Sequence, residues 1–235
     1  MNYGKIYLIP TNIGDGAVFD EMPEINGKII NQLDYFIVEN IRSARRFLKA
    51  CDRSIDIDQL TFFTLNEHTD HASIPTMLEP LAKGHSMGII SEAGCPAIAD
   101  PGADVVAIAQ QRGYNVVPLV GPSSILLSLM ASGFNGQSFA FNGYLPIDQS
   151  ARNAKLKELE RRIRRERQTQ IFIETPYRNN KLIDELSRTL PGDILLCVAS
   201  DITGQNESII TRRLSQWNKA NYDYNKIPTI FLLFS

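Results

Sequence analysis

The sequence predicts an α/β protein of two lobes, and three observations carry that expectation. Short apolar runs, among them KIYLIP at 5–10, YFIVE at 35–39 and TFFTL at 61–65, stop at polar or turn-forming residues and lead into longer helical stretches. Such runs, alternating with helices, read as strands of a sheet that helices cover. The stretch 87–124 concentrates the pattern, with two buried strands, two Gly/Pro-rich loops and a short helix. After Leu145 the chain restarts with a charged helix and a second group of strands, so lobes of residues 1–145 and 146–235 are expected.

In the first lobe, the strand at 5–10 runs into the loop Thr11-Asn12-Ile13-Gly14-Asp15-Gly16. Residues 22–33 make a helix with Pro23 in its first turn and Ile25, Ile29 and Leu33 on one face. The strand at 35–39 ends on Glu39-Asn40-Ile41-Arg42 and leads into a helix with Arg45, Arg46, Phe47 and Leu48. Glu39 and Arg42 read either as a strand-end carboxylate paired with a helix-start guanidinium or as substrate contacts. The strand at 61–65 precedes Glu67, His68, Asp70 and His71, whose H-x-x-H spacing suits no recognised zinc motif. A solvated loop is expected there and no metal, followed by a helix over 73–83.

The strand at 88–90 breaks at Glu92-Ala93-Gly94-Cys95-Pro96. Asp100 can cap the next helix, Pro101 suits its first turn and Gly113 can end it. A strand at 116–120 then turns through Gly121-Pro122-Ser123-Ser124 into a helix ending near Gly133. In open α/β sheets ligands bind at the carboxyl ends of strands, where both loops lie. Neither G-x-G-x-x-G nor G-x-x-x-x-G-K-[ST] occurs, which disfavours a dinucleotide or a triphosphate. A nucleoside with an amino-acid tail fits better. S-adenosylmethionine is such a ligand, with a sulfonium that a carboxylate such as Glu92 favours. The plainer alternative is two ordinary strand-to-helix connections.

A strand at 138–145 closes on Pro146 and marks the boundary between the lobes. A helix over 151–168 carries Leu156, Leu159 and Ile163 as a narrow apolar seam amid many arginines and lysines. That helix is either a solvated face with internal charge pairs or a phosphate-contacting surface. A strand at 170–174 ends on Glu174, and Thr175-Pro176-Tyr177-Arg178 opens a helix to about 188. Strands at 194–200 and 229–234 complete the pattern, with Asp201-Ile202-Thr203-Gly204 and Glu207 between them.

Apolar residues make up 43% of the 235-residue chain, ample for a core. The net charge of −2 leaves nucleic-acid binding to local basic patches. Cys51, Cys95 and Cys197 are widely spaced without a C-x-x-C, which argues against a disulfide framework or zinc ribbon. No signal-like segment precedes a small-residue cleavage site, and no apolar run approaches the roughly 18 residues of a membrane span. A cytoplasmic protein with no membrane partner is expected.

The motifs carry a resemblance. Ser91-Glu92-Ala93-Gly94-Cys95-Pro96-Ala97-Ile98-Ala99-Asp100-Pro101-Gly102 is similar to S-D-A-G-T-P-x-I-S-D-P-G, and residues 118–124 to P-L-P-G-P-S-A. Both motifs belong to the tetrapyrrole methylase family of S-adenosylmethionine-dependent methyltransferases, in its ribosomal RNA small subunit methyltransferase I branch. The strand at 138–145 resembles F-x-F-x-G-F-L-P, and residues 172–178 resemble F-Y-E-S-P-H-R. The branch has P-T-P-I-G-N where Asn12 and Asp15 stand here, and E-D-T-R where Asn40 and Ile41 stand. It has E-L-T-K after the strand at 194–200, of which Thr203 remains, with Glu207 a candidate for a nearby glutamate.

The resemblance implies two α/β lobes of the tetrapyrrole methylase type with the cofactor between them, a homodimer, and an end at the last strand without the C-terminal extension of some members. It implies S-adenosylmethionine held by Pro10, Ser91, Glu92, Ala93, Gly94, Cys95, Ile98, Ser123, Ser124 and Leu145. It implies 2′-O-methylation of a cytidine ribose in small-subunit ribosomal RNA, with Glu39 or Glu174 as base. Arg42, Arg152 and Arg178 would hold substrate phosphate. C-methylation of a tetrapyrrole or other small molecule, and a non-catalytic relative that binds cofactor and a partner, stay open as alternatives.

Overall fold

A computed structural model describes residues 3–66 and 68–235 and divides the chain into two compact units, Met1–Ser123 and Ser124–Ser235. The first unit runs β1 (Lys5–Ile9), α1 (Val18–Glu21), α2 (Glu24–Ile30), β2 (Tyr35–Val38), α3 (Ile41–Cys51) and β3 (Thr61–Thr64). It continues with α4 (Ile74–Met77), α5 (Glu79–Ala82), β4 (Met87–Ile90), α6 (Gly102–Gln111) and β5 (Asn115–Pro118). All five strands are parallel, in the order β3-β2-β4-β1-β5.

Consecutive residues of the inner strands are apolar because helices cover both faces. Ile6, Ile37 and Ile89 point to one face, toward Val105 and Ala109 of α6; Ile9, Phe36, Val38 and Ile90 point to the other, toward Ala44 and Leu48 of α3. Gly88 permits this packing, since a Cβ there would stand 2.6 Å from Ile9 Cδ1 and 2.9 Å from Phe36 Cδ1. The chain passes from β1 to β2 and β3, then returns to insert β4 between β2 and β1. The carboxyl ends of β1 and β4 therefore lie where the direction of winding reverses, the usual ligand position.

Three local expectations change. β5 is a half-exposed edge strand paired only with β1, and it stops at Pro118; Val120, expected inside it, is 72% exposed. The helix expected over 73–83 is two short helices that meet at Leu78, because Pro80 has no N–H to continue the ladder. On α2 the buried residues are Asn26, Gly27 and Ile30, while Ile25 is exposed. The Asn26 amide is buried because it donates to the Val120 carbonyl at 2.8 Å.

The second unit runs α7 (Ser124–Ser132), β6 (Phe139–Tyr144), α8 (Gln149–Glu166), β7 (Thr169–Ile173) and α9 (Asn179–Thr189). β8 (Leu195–Ser200), β9 (Ser208–Arg213), α10 (Leu214–Trp217) and β10 (Thr229–Phe234) follow. Its sheet has the order β6-β7-β10-β8-β9, with only β6 and β7 parallel. β6 pairs with β7, so α7 and β6 fall on the second unit's side of the division, which comes earlier than the boundary expected at 145/146. Leu156, Leu159 and Ile163 of α8 are fully buried, as their spacing implies, and pack with Phe172, Leu186 and Phe231. β9 was not expected: SIITRR is a half-exposed edge strand with no clean alternation. Among the described residues, no helix is long and apolar enough to cross a membrane.

Candidate functional site

The loops after β1, β4 and β5 are tied together at the carboxyl end of the first sheet. Thr11 N donates to Gly94 O at 3.0 Å, and Gly94 N returns a bond to Thr11 O at 3.2 Å. Gly94 sits at φ 69°, where only glycine is unstrained. The Cys95 thiol, kept protonated by burial, donates to Pro122 O at 3.3 Å. Asp100 accepts from Ala97 N at 3.0 Å and Gly102 N at 2.6 Å, and so caps the entry to α6. Within the loop so tied, Ala97 and Ala99 stand at φ 64° and 57°, conformations that cost a non-glycine residue about 1–2 kcal/mol each. A loop kept in such a shape by its surroundings is a frequent mark of a ligand site.

Pro10, Ser91, Glu92, Ala93, Gly94, Cys95, Ile98 and Ser123 therefore all belong to this end of the first unit. Ser124 is the first residue of α7, and the Leu145 side chain is buried in the second unit's core. Ile98 and Val120 expose large apolar surfaces on the loops, 54% and 72%. Neither 91–101 nor 118–124 contains a lysine or arginine. Apolar walls without a cation suit the adenosine and sulfonium of S-adenosylmethionine and do not suit a phosphate. A Cβ at Gly121 would run into the Pro10 ring, so the first and third loops touch through the absence of a side chain. Gly121→Ala is expected to push these loops apart and weaken S-adenosylmethionine binding by roughly tenfold or more, read by calorimetry.

Glu39 follows β2 and accepts a hydrogen bond from the Glu92 backbone N–H. Its carboxyl titrates above the ordinary value because burial desolvates it, with repulsion from Asp100 and Glu92 adding to the shift. Burial likewise raises the Asp100 carboxyl. No ion pair joins Glu39 to Arg42 among the described residues, so the plain pairing weighed for them is not formed. Asn40, which replaces the branch's aspartate, is the N-cap of α3: its Oδ1 accepts from Arg42 N at 2.8 Å and Ser43 N at 3.3 Å. Asparagine caps as well as aspartate does, so this departure leaves the helix start intact.

A cavity of about 410 Å³ opens beside the same loops, within the usual range for small-ligand sites. Asn12, Asp15, Ser43, Arg46, Phe47 and Glu92 are among its lining residues. The loop over it is held by Glu21, whose carboxylate accepts from Ile13 N at 2.9 Å and Gly14 N at 3.3 Å. The sequence gives no warning of this cavity, because its walls come from three separated segments.

In the second unit Glu174 is enclosed. Its Oε1 accepts from Thr175 N at 2.7 Å and Arg178 at 2.8 Å, and its Oε2 faces Arg152 at 3.9 Å. Arg152 is buried: it donates to Pro146 O at 2.8 Å, Ile147 O at 3.1 Å and Glu185 at 3.1 Å. Arg178 keeps a partly exposed guanidinium, and with Lys181 and Glu185 it lines a hollow of about 170 Å³. The structure thus brings Glu174, Arg152 and Arg178 together in one unit, and Glu39, Arg42 and most cofactor candidates in the other. After β8, Asp201 and Thr203 take positive φ, with Glu207 accepting from Thr203 N at 2.8 Å.

Much of the charge on α8 is neutralised. Lys155 and Arg162 pair with Glu158, and Arg164 with Glu160 and Asp193. His71 lies 3.3 Å from Asp104, both exposed, and Asp70 caps a short turn by accepting from Ala72 N. Glu67 lies outside the described residues. Among the described residues no group of three or more histidine, cysteine or acidic side chains is placed to hold a metal.

No protein-family model matches the chain. Over 204 residues it is 31% identical to the ribosomal RNA small subunit methyltransferase I of Vibrio cholerae, spanning 87% of this chain and 67% of that protein. The Pasteurella multocida protein of the same name is 30% identical over 217 residues, spanning 91% of this chain and 73% of its own. Among solved structures, the uroporphyrin-III C-methyl transferase of Thermus thermophilus, complexed with S-adenyl homocysteine, matches 99% of this chain and 98% of its own. The TM-score is 0.59 at 15% identity, a likeness of fold.

Proposed function

The chain belongs to the ribosomal RNA small subunit methyltransferase I family, and from that membership we propose that it uses S-adenosylmethionine to methylate the 2′-hydroxyl of a cytidine in small-subunit ribosomal RNA. The observation that supports this chemistry best is Glu39, a desolvated carboxylate with no ion-pair partner among the described residues, beside the strained 91–101 loop.

The cofactor supplies an electrophilic methyl group on a sulfonium that departs as a neutral thioether. The loops after β1, β4 and β5 hold it through Pro10, residues 91–95, Ile98 and Ser123, and exclude water from one side. The acceptor is a neutral hydroxyl and a poor nucleophile, so its proton must leave as the new oxygen–carbon bond forms. Glu39 takes that proton. Its raised pKa brings its basicity closer to the working pH, and the Glu92 N–H fixes its orientation. Glu174 is assigned to positioning, because its oxygens already serve Thr175, Arg178 and Arg152. Arg178, steered by Glu174, and Arg42, at the start of α3, are the phosphate contacts. Arg152 supports that arrangement from within.

The test is transfer of labelled methyl from S-adenosylmethionine to small ribosomal subunits prepared from cells lacking the protein. Label in the RNA is expected; label absent from RNA, with the protein folded and cofactor bound, contradicts the proposal. A homodimer in the cytoplasm, where the substrate is, belongs to the same proposal. Sedimentation should then give twice the 26.3 kDa chain mass.

A further inference from the structure

α3 differs from α8, the other arginine-rich helix of the chain. Its sequence, IRSARRFLKAC, carries Arg42, Arg45, Arg46 and Lys49 and no acidic residue. Arg42 and Arg46, one turn apart, are exposed and make no ion pair among the described residues. Arg45 lies over the Phe62 ring at 5.7 Å, and Lys49 donates to Arg53 O at 3.0 Å near Asp52. On α8, Lys155, Arg162 and Arg164 pair with Glu158, Glu160 and Asp193, while Lys157, Arg161 and Arg165 make no ion pair among the described residues; α3 is set apart by the absence of any acidic residue and by the cavity beside it. A helix that leaves cations unneutralised presents them to something outside the chain, and arginine suits phosphate.

The cavity of about 410 Å³ lies against the same helix, with Ser43, Arg46, Phe47 and Ala50 in its wall. Its lining also carries polar groups of another kind. Asn12 and Asp15 line it, and the exposed Asp15 carboxylate has no partner among the described residues. Free carboxylate and amide acceptors suit an exocyclic amino group, while Phe47 offers an apolar surface to a ring. A strand whose phosphates follow the arginines outside and whose base enters the hollow would meet both chemistries.

We propose that α3 is the RNA-docking helix: Arg42, Arg45 and Arg46 hold the phosphates flanking the acceptor nucleotide, and the cavity beside them receives its base. This rests on the RNA-methyltransferase reading and goes beyond it, because it places the acceptor base in the cavity that α3 shares with Ser91 and Glu92 of the cofactor loop, and assigns the backbone to α3 rather than to α8.

The test compares the wild type with Arg42→Gln/Arg46→Gln, with Arg161→Gln/Arg165→Gln on α8, and with Ala50→Trp. A single-stranded RNA oligonucleotide and small ribosomal subunits are titrated over a salt series, and S-adenosylmethionine affinity is measured by calorimetry. The α3 pair should bind RNA at least tenfold more weakly, with a salt slope flatter by roughly 1.4, from about 0.7 per lost phosphate contact. Its cofactor affinity should not change, and glutamine preserves the helix. The α8 pair should resemble the wild type. Ala50→Trp should keep cofactor affinity and lose methylation.

Unchanged RNA affinity and slope in the α3 pair overturn the proposal. So does loss of cofactor affinity in Ala50→Trp, which would give the cavity to the cofactor. If the wild type binds RNA but methylates none, the functional reading fails while the binding arms still decide the helix. If the wild type binds neither RNA nor subunits, the docking helix falls as well.

Discussion

Glu39→Gln is expected to lower turnover by roughly 10²–10⁴-fold, the usual contribution of a general base. S-adenosylmethionine affinity should stay nearly unchanged, since glutamine still accepts from the Glu92 N–H. The pH profile of the wild type gives a second reading. A base must be ionised, so kcat/KM should rise with pH through a pKa above the ordinary 4.5 of glutamate. Stability runs the other way. The folded protein binds the Glu39 proton more tightly than the unfolded chain does, so ionisation costs stability as pH rises from 4.5 through the folded value. Glu39→Gln removes that cost, and thermal unfolding at neutral pH should show a variant at least as stable as the wild type. An ion-paired structural glutamate would give the opposite pattern, with stability lost and specific activity kept.

Arg152→Ala is expected to have the largest effect on stability. Arg152 is 8% exposed, and its guanidinium bonds to two carbonyls and Glu185, with Glu174 behind it. Removing one partner of a buried pair leaves the other charge uncompensated and typically costs about 3–5 kcal/mol. In a chain of this size that lowers Tm by roughly 6–20 °C. Arg178→Ala, at a partly exposed position, should cost far less stability and more RNA affinity. Equal stability for the wild type and Arg152→Ala, with weakened RNA binding, would return Arg152 to the substrate contacts.

Most strands and helices and the two special loops were legible because each depends on neighbours in sequence. Gly94, Asp100 and Gly121 stand where backbone shape demands them, so the loops after β4 and β5 could be read directly. The buried seam of α8 followed from spacing alone. What could not be read depends on distant partners. Which cations of α8 are paired could not be read, because Arg164 meets Asp193 from a distant segment. Arg152 reads as one more surface cation until Pro146 and Glu185 enclose it. Asn40 reads as a lost acid until its side chain is found capping α3. The cavity beside α3 needs the loop at 12–16, the helix and the end of β4 at once. β9 was missed because a half-exposed edge strand carries little pattern of its own.

The central claim is that Glu39 directs a methyl group to a ribose hydroxyl, and the position of the transferred methyl tests it most directly. Small subunits treated with S-adenosylmethionine carrying an isotopically labelled methyl group would be digested to nucleosides and analysed by mass spectrometry. The expected product is labelled 2′-O-methylcytidine with the wild type and at most a trace of it with Glu39→Gln. Label on a base carbon or nitrogen, or equal 2′-O-methylcytidine from both proteins, would contradict the account.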